Sequence, residues 1–358
     1  MRDPWNDSEL AARFRRLAAT SLPRAPLYAA MSLVIADHRG LASMLSHAPP
    51  TQQQPVLMLA AIHHLVLDEP DKGLAAWYRN LSDDPRDPND PELAPTVHDF
   101  VMDRAPSMYD LLATRRAQTN EVGRCGLFLP LMTATSDETG EPLVHVDVGT
   151  SGGLNLLLPR FAYRYDGGSP IGSSPVTIDV DTRGVGPTPD TIPLVAASVG
   201  IDTHPIDVGD PTETRWLEAC CWPDQADRFH RLRAAITLAA HDSLDIVTGD
   251  AVDSIGQVVD DRAHLGHPVV TTSWVLNYLS PARRVDFVDA LDAIGDRRDL
   301  SWIVAESPSQ TPEIPHSSER VSDRLELTEL SLVTWRGGKR TDRHLGTCHP
   351  HGYWIHWD

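Results

Sequence analysis

Residues 143–158 decide the fold, and their sequence is LVHVDVGTSGGLNLLL. An apolar strand carrying one acid, Asp147, leads into a turn with three glycines and a serine, and the leucine-rich run after it predicts a buried helix. A backbone that turns sharply from strand to helix against a ligand has no room for Cβ atoms, which favours glycine. We therefore predict a ligand-binding turn here, with a turn that serves packing alone as the alternative.

Two enzyme classes use a turn of this kind. In class I methyltransferases an Asp-x-Gly-x-x-x-Gly turn surrounds S-adenosylmethionine, and Asp147, Gly149 and Gly153 occupy those positions with the small Ser151 between the glycines. In α/β-hydrolases a Gly-x-Ser-x-Gly turn presents a nucleophilic serine, and residues 149–153 match that pattern as well. The turn alone does not decide between the two classes.

Upstream of the turn, the periodic segments are helical. Apolar residues recur at helical spacing over residues 8–19, 25–36, 55–67 and 73–79, with proline-containing breaks between them. Strand patterns do not interrupt the sequence before about residue 135. We therefore predict an all-helical N-terminal domain over residues 1–135.

Downstream, strands alternate with helices. We predict strands at residues 143–148, 194–205, 244–251, 269–274 and 301–306, helices at 212–238 and 281–294, and an excursion rich in proline and glycine at 159–193. Residues 327–335 and 353–357 predict a closing antiparallel pair of strands. This layout predicts an α/β fold over residues 136–358: a class I methyltransferase-like Rossmann sheet, with ligands at the carboxyl ends of its strands.

Acidic residues end three of the predicted strands in the order that adenosine recognition requires. After the glycine turn, Asp202 closes the next strand and Asp250 follows the third in a Gly-Asp-Ala turn. A carboxylate that accepts hydrogen bonds from two ribose hydroxyls makes strong, charge-assisted contacts, which favours an acid at such a position. The predicted cofactor-binding residues are Asp147, Gly149, Ser151, Gly153, Asn155, Asp202 and Asp250.

The hydrolase hypothesis also finds its parts in chain order. Ser151 would be the nucleophile, Asp202 or Asp250 the acid, and His349 or His351 the base. Order alone is weak support in a chain with 16 histidines. In addition, the predicted topology has no earlier strand that could supply an oxyanion-binding segment. The sequence therefore favours the methyltransferase hypothesis.

A polar run interrupts the helix predicted over residues 106–132. Residues 115–126 have the sequence RRAQTNEVGRCG, where an apolar approach to a core is expected. Such a violation indicates a site, with a structural hydrogen-bond network as the alternative. We predict acceptor-side catalytic roles for Glu121 and Arg124 in this run, for Tyr278 after the fourth strand, and for His351 near the C-terminus.

Composition limits the possible partners. The formal net charge of −19 and the lack of a basic stripe argue against nucleic acid or an anionic membrane as a partner. The four cysteines include no Cys-x-x-Cys pair, and the histidine spacings are not metal motifs, so we predict no metal. The N-terminus lacks the apolar core of a signal peptide, and we expect a cytoplasmic protein.

Short motifs along the chain carry a resemblance to a known family. They are QTNEVGRC at 118–125, VGTSGGLNLLL at 148–158, GID at 200–202, WP at 222–223, RLRAAI at 231–236, GDA at 249–251 and HPHGYW at 349–354. Together they resemble a family of uncharacterised bacterial proteins, frequent in actinobacteria and known only as a domain of unknown function. The resemblance covers essentially the whole chain and implies a Rossmann-like methyltransferase architecture.

The resulting functional expectation is an S-adenosylmethionine-dependent methyltransferase that acts on a small-molecule or protein acceptor. Two alternatives remain open. One is a serine hydrolase that uses Ser151, and the other is a non-catalytic protein that binds a nucleoside cofactor. The sequence does not specify the acceptor or the oligomeric state.

Overall fold

The structure is a computed structural model that describes residues 4–315 and 327–358. The prediction about a signal peptide concerns the N-terminus, of which residues 1–3 lie outside the described residues. The chain divides into two compact units, one of Met1–Thr119 with Asp207–Arg233 and the other of Asn120–Ile206 with Ala234–Asp358. The domain boundary near residue 135 stays a prediction.

The secondary structure follows in chain order. The α-helices are α1 (Pro4–Ser21), α2 (Pro26–Asp37), α3 (Arg39–Met44), α4 (Pro55–Asp68), α5 (Leu93–Asp103), α6 (Ala105–Thr114), α7 (Cys125–Thr139), α8 (Pro211–Ala219), α9 (Ala226–Ala239), α10 (Ala251–Arg262) and α11 (Pro281–Gly295). Short 3-10 helices are Leu45–His47, Pro50–Gln52, Gly73–Trp77, Val122–Arg124, Leu154–Arg160 and Leu276–Tyr278. The strands are β1 (Leu143–Val148), β2 (Ala162–Tyr165), β3 (Thr177–Arg183), β4 (Val195–Asp202), β5 (Ile246–Thr248), β6 (His267–Ser273), β7 (Leu300–Glu306), β8 (Thr328–Arg336), β9 (Lys339–Cys348) and β10 (Trp354–Trp357).

The secondary-structure elements within the described residues of the first unit are all helices, as the periodicity predicted. His63 has a structural role there. His63 lies in the apolar helix α4, is fully buried, and contacts the Ala219 carbonyl oxygen and the Asn80 amide at 3.1 Å each. Burial lowers the pKa of His63 to about 3, so the imidazole stays neutral. Asp224 accepts hydrogen bonds from the backbone N–H groups of Leu27 and Tyr28 and thereby satisfies the first turn of α2.

Neither a membrane span nor a metal cluster occurs in the part of the chain that the structure describes. Its helices are too short or too polar to cross a bilayer. Groups of three or more histidine, cysteine, aspartate or glutamate side chains placed to hold a metal ion are also absent from it.

The second unit is built on one sheet, in which the described residues form ten strands. Their order is β2-β3-β10-β9-β8-β7-β6-β1-β4-β5. Strands β7, β6, β1, β4 and β5 are parallel to one another. Strands β8 and β9 continue the sheet beyond β7 as an antiparallel meander. Counted from β5 to β7, the five parallel strands are the third, second, first, fourth and fifth in chain order, which is a doubly wound arrangement. The mixed α/β class is therefore confirmed.

The core of this unit explains why its parallel strands lack an alternating pattern. Every residue of β1 and β7 is buried, as expected for strands covered on both faces. Val144 and Val146 of β1 pack in one cluster with Phe287 and Leu291 of α11 and with Ile255 of α10. This packing fixes the sheet, and hence the positions at which its strands end.

Two predictions about individual elements were wrong. One continuous helix over residues 106–132 is absent, because α6 ends at Thr114 and residues 115–121 are not helical. The leucine-rich run after the turn is a buried helix as predicted, of the 3-10 type, and Pro159 within it has no N–H with which to continue an α-helical ladder. The predicted closing strands do not pair with each other, since β9 lies between β8 and β10.

Candidate functional site

The glycine turn follows β1 and has a left-handed backbone. Gly149 and Gly153 have φ values of +71° and +73°, which favour glycine. A Cβ atom on Gly149 would lie 2.2 Å from the Val275 side chain, and one on Gly153 would lie 2.8 Å from Ile246. Protein packing and backbone conformation therefore account for both glycines without a ligand. Their predicted roles in cofactor binding stay predictions.

Asp147 lies beside this turn, at the carboxyl end of β1. Its Oδ1 atom accepts a hydrogen bond of 2.8 Å from the Thr271 hydroxyl on β6, and that hydroxyl oxygen lies 2.9 Å from His145 Nε2. Burial raises the pKa of Asp147 to about 6, against the opposing effects of the Thr271 and Thr150 hydroxyls and of the Arg124 charge. Asp147 thus bridges β1 and β6, between which the strand order reverses direction.

Asp202 ends β4 and holds the glycine turn in place. Its two carboxylate oxygens accept hydrogen bonds of 2.8 Å each, one from the Ser151 N–H and one from the His204 N–H. The Ser151 hydroxyl is buried and has no hydrogen-bond partner among the residues that the structure describes. A histidine in contact with this hydroxyl is therefore not among those described residues.

Asp250 and Asn155 have partners of their own. Asp250 is the N-cap of α10, where its Oδ1 atom accepts the Val252 N–H at 2.8 Å, and the same oxygen contacts the Arg283 guanidinium at 2.7 Å. Asn155 is buried, and its Oδ1 atom lies 3.5 Å from the Cys125 sulfur. Asp250 stands after β5 as predicted, whereas the side chain of Asn155 contacts the protein interior.

Arg124 contacts the carboxyl end of β6, although the chain reaches it before β1, and Glu121 lies beside His351. The Arg124 guanidinium donates to the Ser273 carbonyl oxygen at 2.8 Å and to the Pro350 carbonyl oxygen at 2.9 Å. Glu121 is buried, accepts the Gly123 N–H at 3.0 Å, and lies 3.5 Å from His351 Nδ1. The polar run thus reaches the strand ends, as its predicted role requires, and the catalytic roles stay predictions.

Sequence reasoning missed Glu306, the last residue of β7. Its side chain is fully buried, and Oε1 accepts hydrogen bonds from the N–H groups of Val275 and Leu276 at 3.1 and 3.3 Å. Burial raises the pKa of this carboxyl to about 7, although these two N–H groups and Arg124 oppose the rise. Glu306 carried the same signal as Asp147 and Asp202, an acid at the end of an apolar strand.

The segment after β6 crosses the same edge in a strained conformation. Trp274 has a φ of +52°, which is an outlier for a bulky residue. Its indole N–H donates to the Thr328 hydroxyl at 2.8 Å. Tyr278, four residues later, exposes 77% of its surface. Strain of this kind persists where the surrounding structure enforces it, often at ligand sites.

At this edge lies a cluster of buried polar atoms that have no hydrogen-bond partner. Within the described residues, six such atoms come from the ends of β1, β6 and β7 and the loops that follow β1 and β6. They are Asp147 Oδ2, Thr150 Oγ1, Ser151 Oγ, Ser273 Oγ, Asn277 Oδ1 and Glu306 Oε2. Buried polar atoms in folded proteins are nearly always hydrogen-bonded, so such a cluster indicates a place where water or a ligand binds. We define these six residues with Asp202, Asp250 and Arg124 as the edge site.

Comparisons with known proteins identify the family and nothing beyond it. Neither the curated proteins nor the solved structures contain a match to this chain. The model of an uncharacterised protein family conserved in bacteria, DUF2332, matches residues 11–357, and the chain therefore belongs to that family.

Proposed function

We propose that the protein is an S-adenosylmethionine-dependent methyltransferase whose cofactor and acceptor meet at the edge site. The observation that carries the proposal is the cluster of six unpartnered buried polar atoms at the point where the parallel strand order reverses. In open α/β sheets, ligands bind outside the carboxyl ends of the strands at such a point. Asp202 and Asp250, at the ends of the next two strands, extend the cluster in the direction in which a nucleoside would lie.

The residues present fit the chemistry of this cofactor. Each Asp202 oxygen accepts one backbone N–H, which leaves lone pairs for the ribose hydroxyls. Asp250 and the first turn of α10 offer an acceptor and backbone donors for an adenine edge. Asp147 Oδ2 is a free acceptor for an amino group. When bound, S-adenosylmethionine supplies an electrophilic methyl group, so the protein's main task is to orient the acceptor.

The acceptor side of the proposed site is formed by Glu121, Arg124, Tyr278 and His351. The Arg124 guanidinium donates to the Ser273 carbonyl oxygen at the end of β6, and its charge opposes the rise in the pKa of Asp147 and of Glu306. The exposed Tyr278 ring stands where an acceptor molecule or a protein side chain can approach. Any role of Glu121 in proton transfer would act through its contact with His351.

The geometry gives less support to a serine hydrolase. A nucleophilic serine needs a general base within hydrogen-bond reach, and the Ser151 hydroxyl has no partner among the described residues. The strand before Ser151 is also the first strand of the described chain, so no earlier strand supplies an oxyanion-binding loop. A non-catalytic nucleoside-binding protein is the remaining alternative, and it would bind the cofactor without turnover.

Isothermal calorimetry with S-adenosylmethionine and S-adenosylhomocysteine tests the proposal. We expect both to bind the wild type, and we expect Asp202→Asn to weaken both by roughly tenfold or more, because one acceptor oxygen becomes a donor. Asp289→Asn, on the exposed side of α11, is the matched control and should bind like the wild type. The absence of heat from both compounds with folded wild-type protein would reject the cofactor assignment.

A further inference from the structure

We propose that the acceptor substrate is an amine, and that its nitrogen binds Glu306 Oε2 next to Asn277. This inference rests on the proposed function, because it names the class of molecule that receives the methyl group. Glu306 would contact the substrate directly, while Asn277 would complete the binding of its N–H groups.

The unpartnered atoms at this end of the edge site require a hydrogen-bond donor. Glu306 Oε2 and Asn277 Oδ1 are acceptors and have no partner among the described residues. An ionised carboxylate accepts hydrogen bonds and donates none. The complementary ligand group is therefore one with several N–H bonds, and an ammonium group offers three.

The loop after β6 holds one of the two carboxylate oxygens of Glu306. The N–H groups of Val275 and Leu276 hold Oε1, so the second oxygen remains for a ligand. Asn277 and Tyr278 follow directly in the same loop. The Tyr278 ring is exposed, and an aromatic ring face can attract an approaching ammonium.

The charge around Glu306 also favours a cation. Glu329 lies directly opposite Glu306 in the antiparallel pair of β7 and β8, and both side chains are fully buried. Opposite residues on such strands have Cβ atoms about 5 Å apart, so the two acids lie on the same face of the sheet. His344 contacts Glu329 at 3.6 Å, and Arg124 is the cation that acts on Glu306. An anionic acceptor would add a further negative charge to this group.

The same carboxylate suits the proton chemistry of an amine. An ammonium must lose a proton before its nitrogen can form a new bond, and the proton would pass from the nitrogen to Glu306 Oε2, leaving a neutral amine and a neutral carboxylic acid. Burial raises the pKa of Glu306 to about 7, close to neutrality, where a group that accepts and releases protons is most effective.

Ligand-observed NMR titration with butylammonium, 1-butanol and butyrate tests the inference without turnover. We expect the wild type to bind butylammonium with a Kd on the order of millimolar, as small ligands do, and to bind the other two at least about tenfold more weakly. Glu306→Gln and Asn277→Leu should each weaken butylammonium binding by roughly tenfold. Glu141→Gln, an exposed glutamate just before β1, is the matched control and should bind like the wild type.

Each contrary result overturns the amine assignment. Those results are no butylammonium binding by the wild type up to about 100 mM, equal affinity for 1-butanol or butyrate, or wild-type affinity in both site variants. Asn277 is only partly buried, so Asn277→Leu keeps the test valid if Glu306→Gln does not fold. Calorimetry with S-adenosylmethionine separates the two proposals. If the cofactor fails to bind while butylammonium behaves as expected, the methyltransferase proposal fails and the amine site stands.

Discussion

Replacing Glu306 with glutamine should remove a pH dependence from the stability of the protein. Burial raises the pKa of Glu306 from its ordinary 4.5 to about 7, so the folded protein holds this proton more tightly than the unfolded chain. The resulting stabilisation is complete below pH 4.5 and is lost as the pH rises through about 7. At about 1.4 kcal/mol for each tenfold change in the ionisation constant, the full effect is about 3 kcal/mol.

Urea unfolding of the wild type and Glu306→Gln at several pH values and constant ionic strength measures this effect. Between about pH 5 and about pH 8, the free energy of unfolding of the variant should rise by roughly 2 to 3 kcal/mol relative to the wild type. Asp147 is present in both proteins, so its own raised pKa cancels in the difference. Glu141→Gln should parallel the wild type. A difference between Glu306→Gln and the wild type that stays constant with pH would refute the argument that burial raises the pKa of Glu306.

The other predictions concern the turn and the contacts beside it. Ser151→Ala should change stability by less than about 1 kcal/mol, because it removes a buried hydroxyl that has no partner, and should leave cofactor affinity intact, whereas Ser151→Leu should abolish binding in calorimetry. An organophosphate should not label Ser151 in mass spectrometry, and stoichiometric labelling would establish the hydrolase hypothesis instead. Thr271→Val should destabilise the protein by about 2 to 4 kcal/mol in urea unfolding, because it removes the hydroxyl that donates to Asp147, and Thr271→Ser should restore most of the loss. Gly149→Ala should cost about 2 to 4 kcal/mol through its positive φ and its contact with Val275, and the double variant with Val275→Ala should recover part of that cost. Additive effects of the two substitutions would contradict the predicted contact.

The parallel core of the sheet was predictable because its strands are buried on both faces. Continuous apolar runs such as those of β6 and β7, separated by helical periodicity, have few other interpretations. Their polar ends were predictable for the same reason, since an acid at the end of such a run contrasts with the residues before it. Glu306 carries the same signal at the end of a fourth strand, β7.

The elements that the sequence did not predict lack this contrast between an apolar run and a polar residue at its end. Strand β9 is half exposed and carries Lys339, Arg340 and Asp342 among its residues, so its composition resembles a loop. The Gly337-Gly338 turn that joins it to β8 was its available signal. The polar run at residues 115–126 was recognised as unusual, but its position depends on contacts with Ser273 and Pro350, which are about 150 and more than 200 residues away in the chain. Local patterns do not carry such information.

The strongest sequence argument for a ligand and the strongest structural argument rest on different residues. The glycines that suggested a ligand are explained by left-handed backbone and by contacts with Val275 and Ile246. The structural argument instead comes from polar atoms that have no reason to be buried unless something binds them. Of the three non-glycine residues with positive φ in the described chain, Ser151 and Trp274 both border that cluster. Strain and unsatisfied polarity are separate costs to folding, and their coincidence at the point where the strand order reverses is what a binding site would require and packing alone would not.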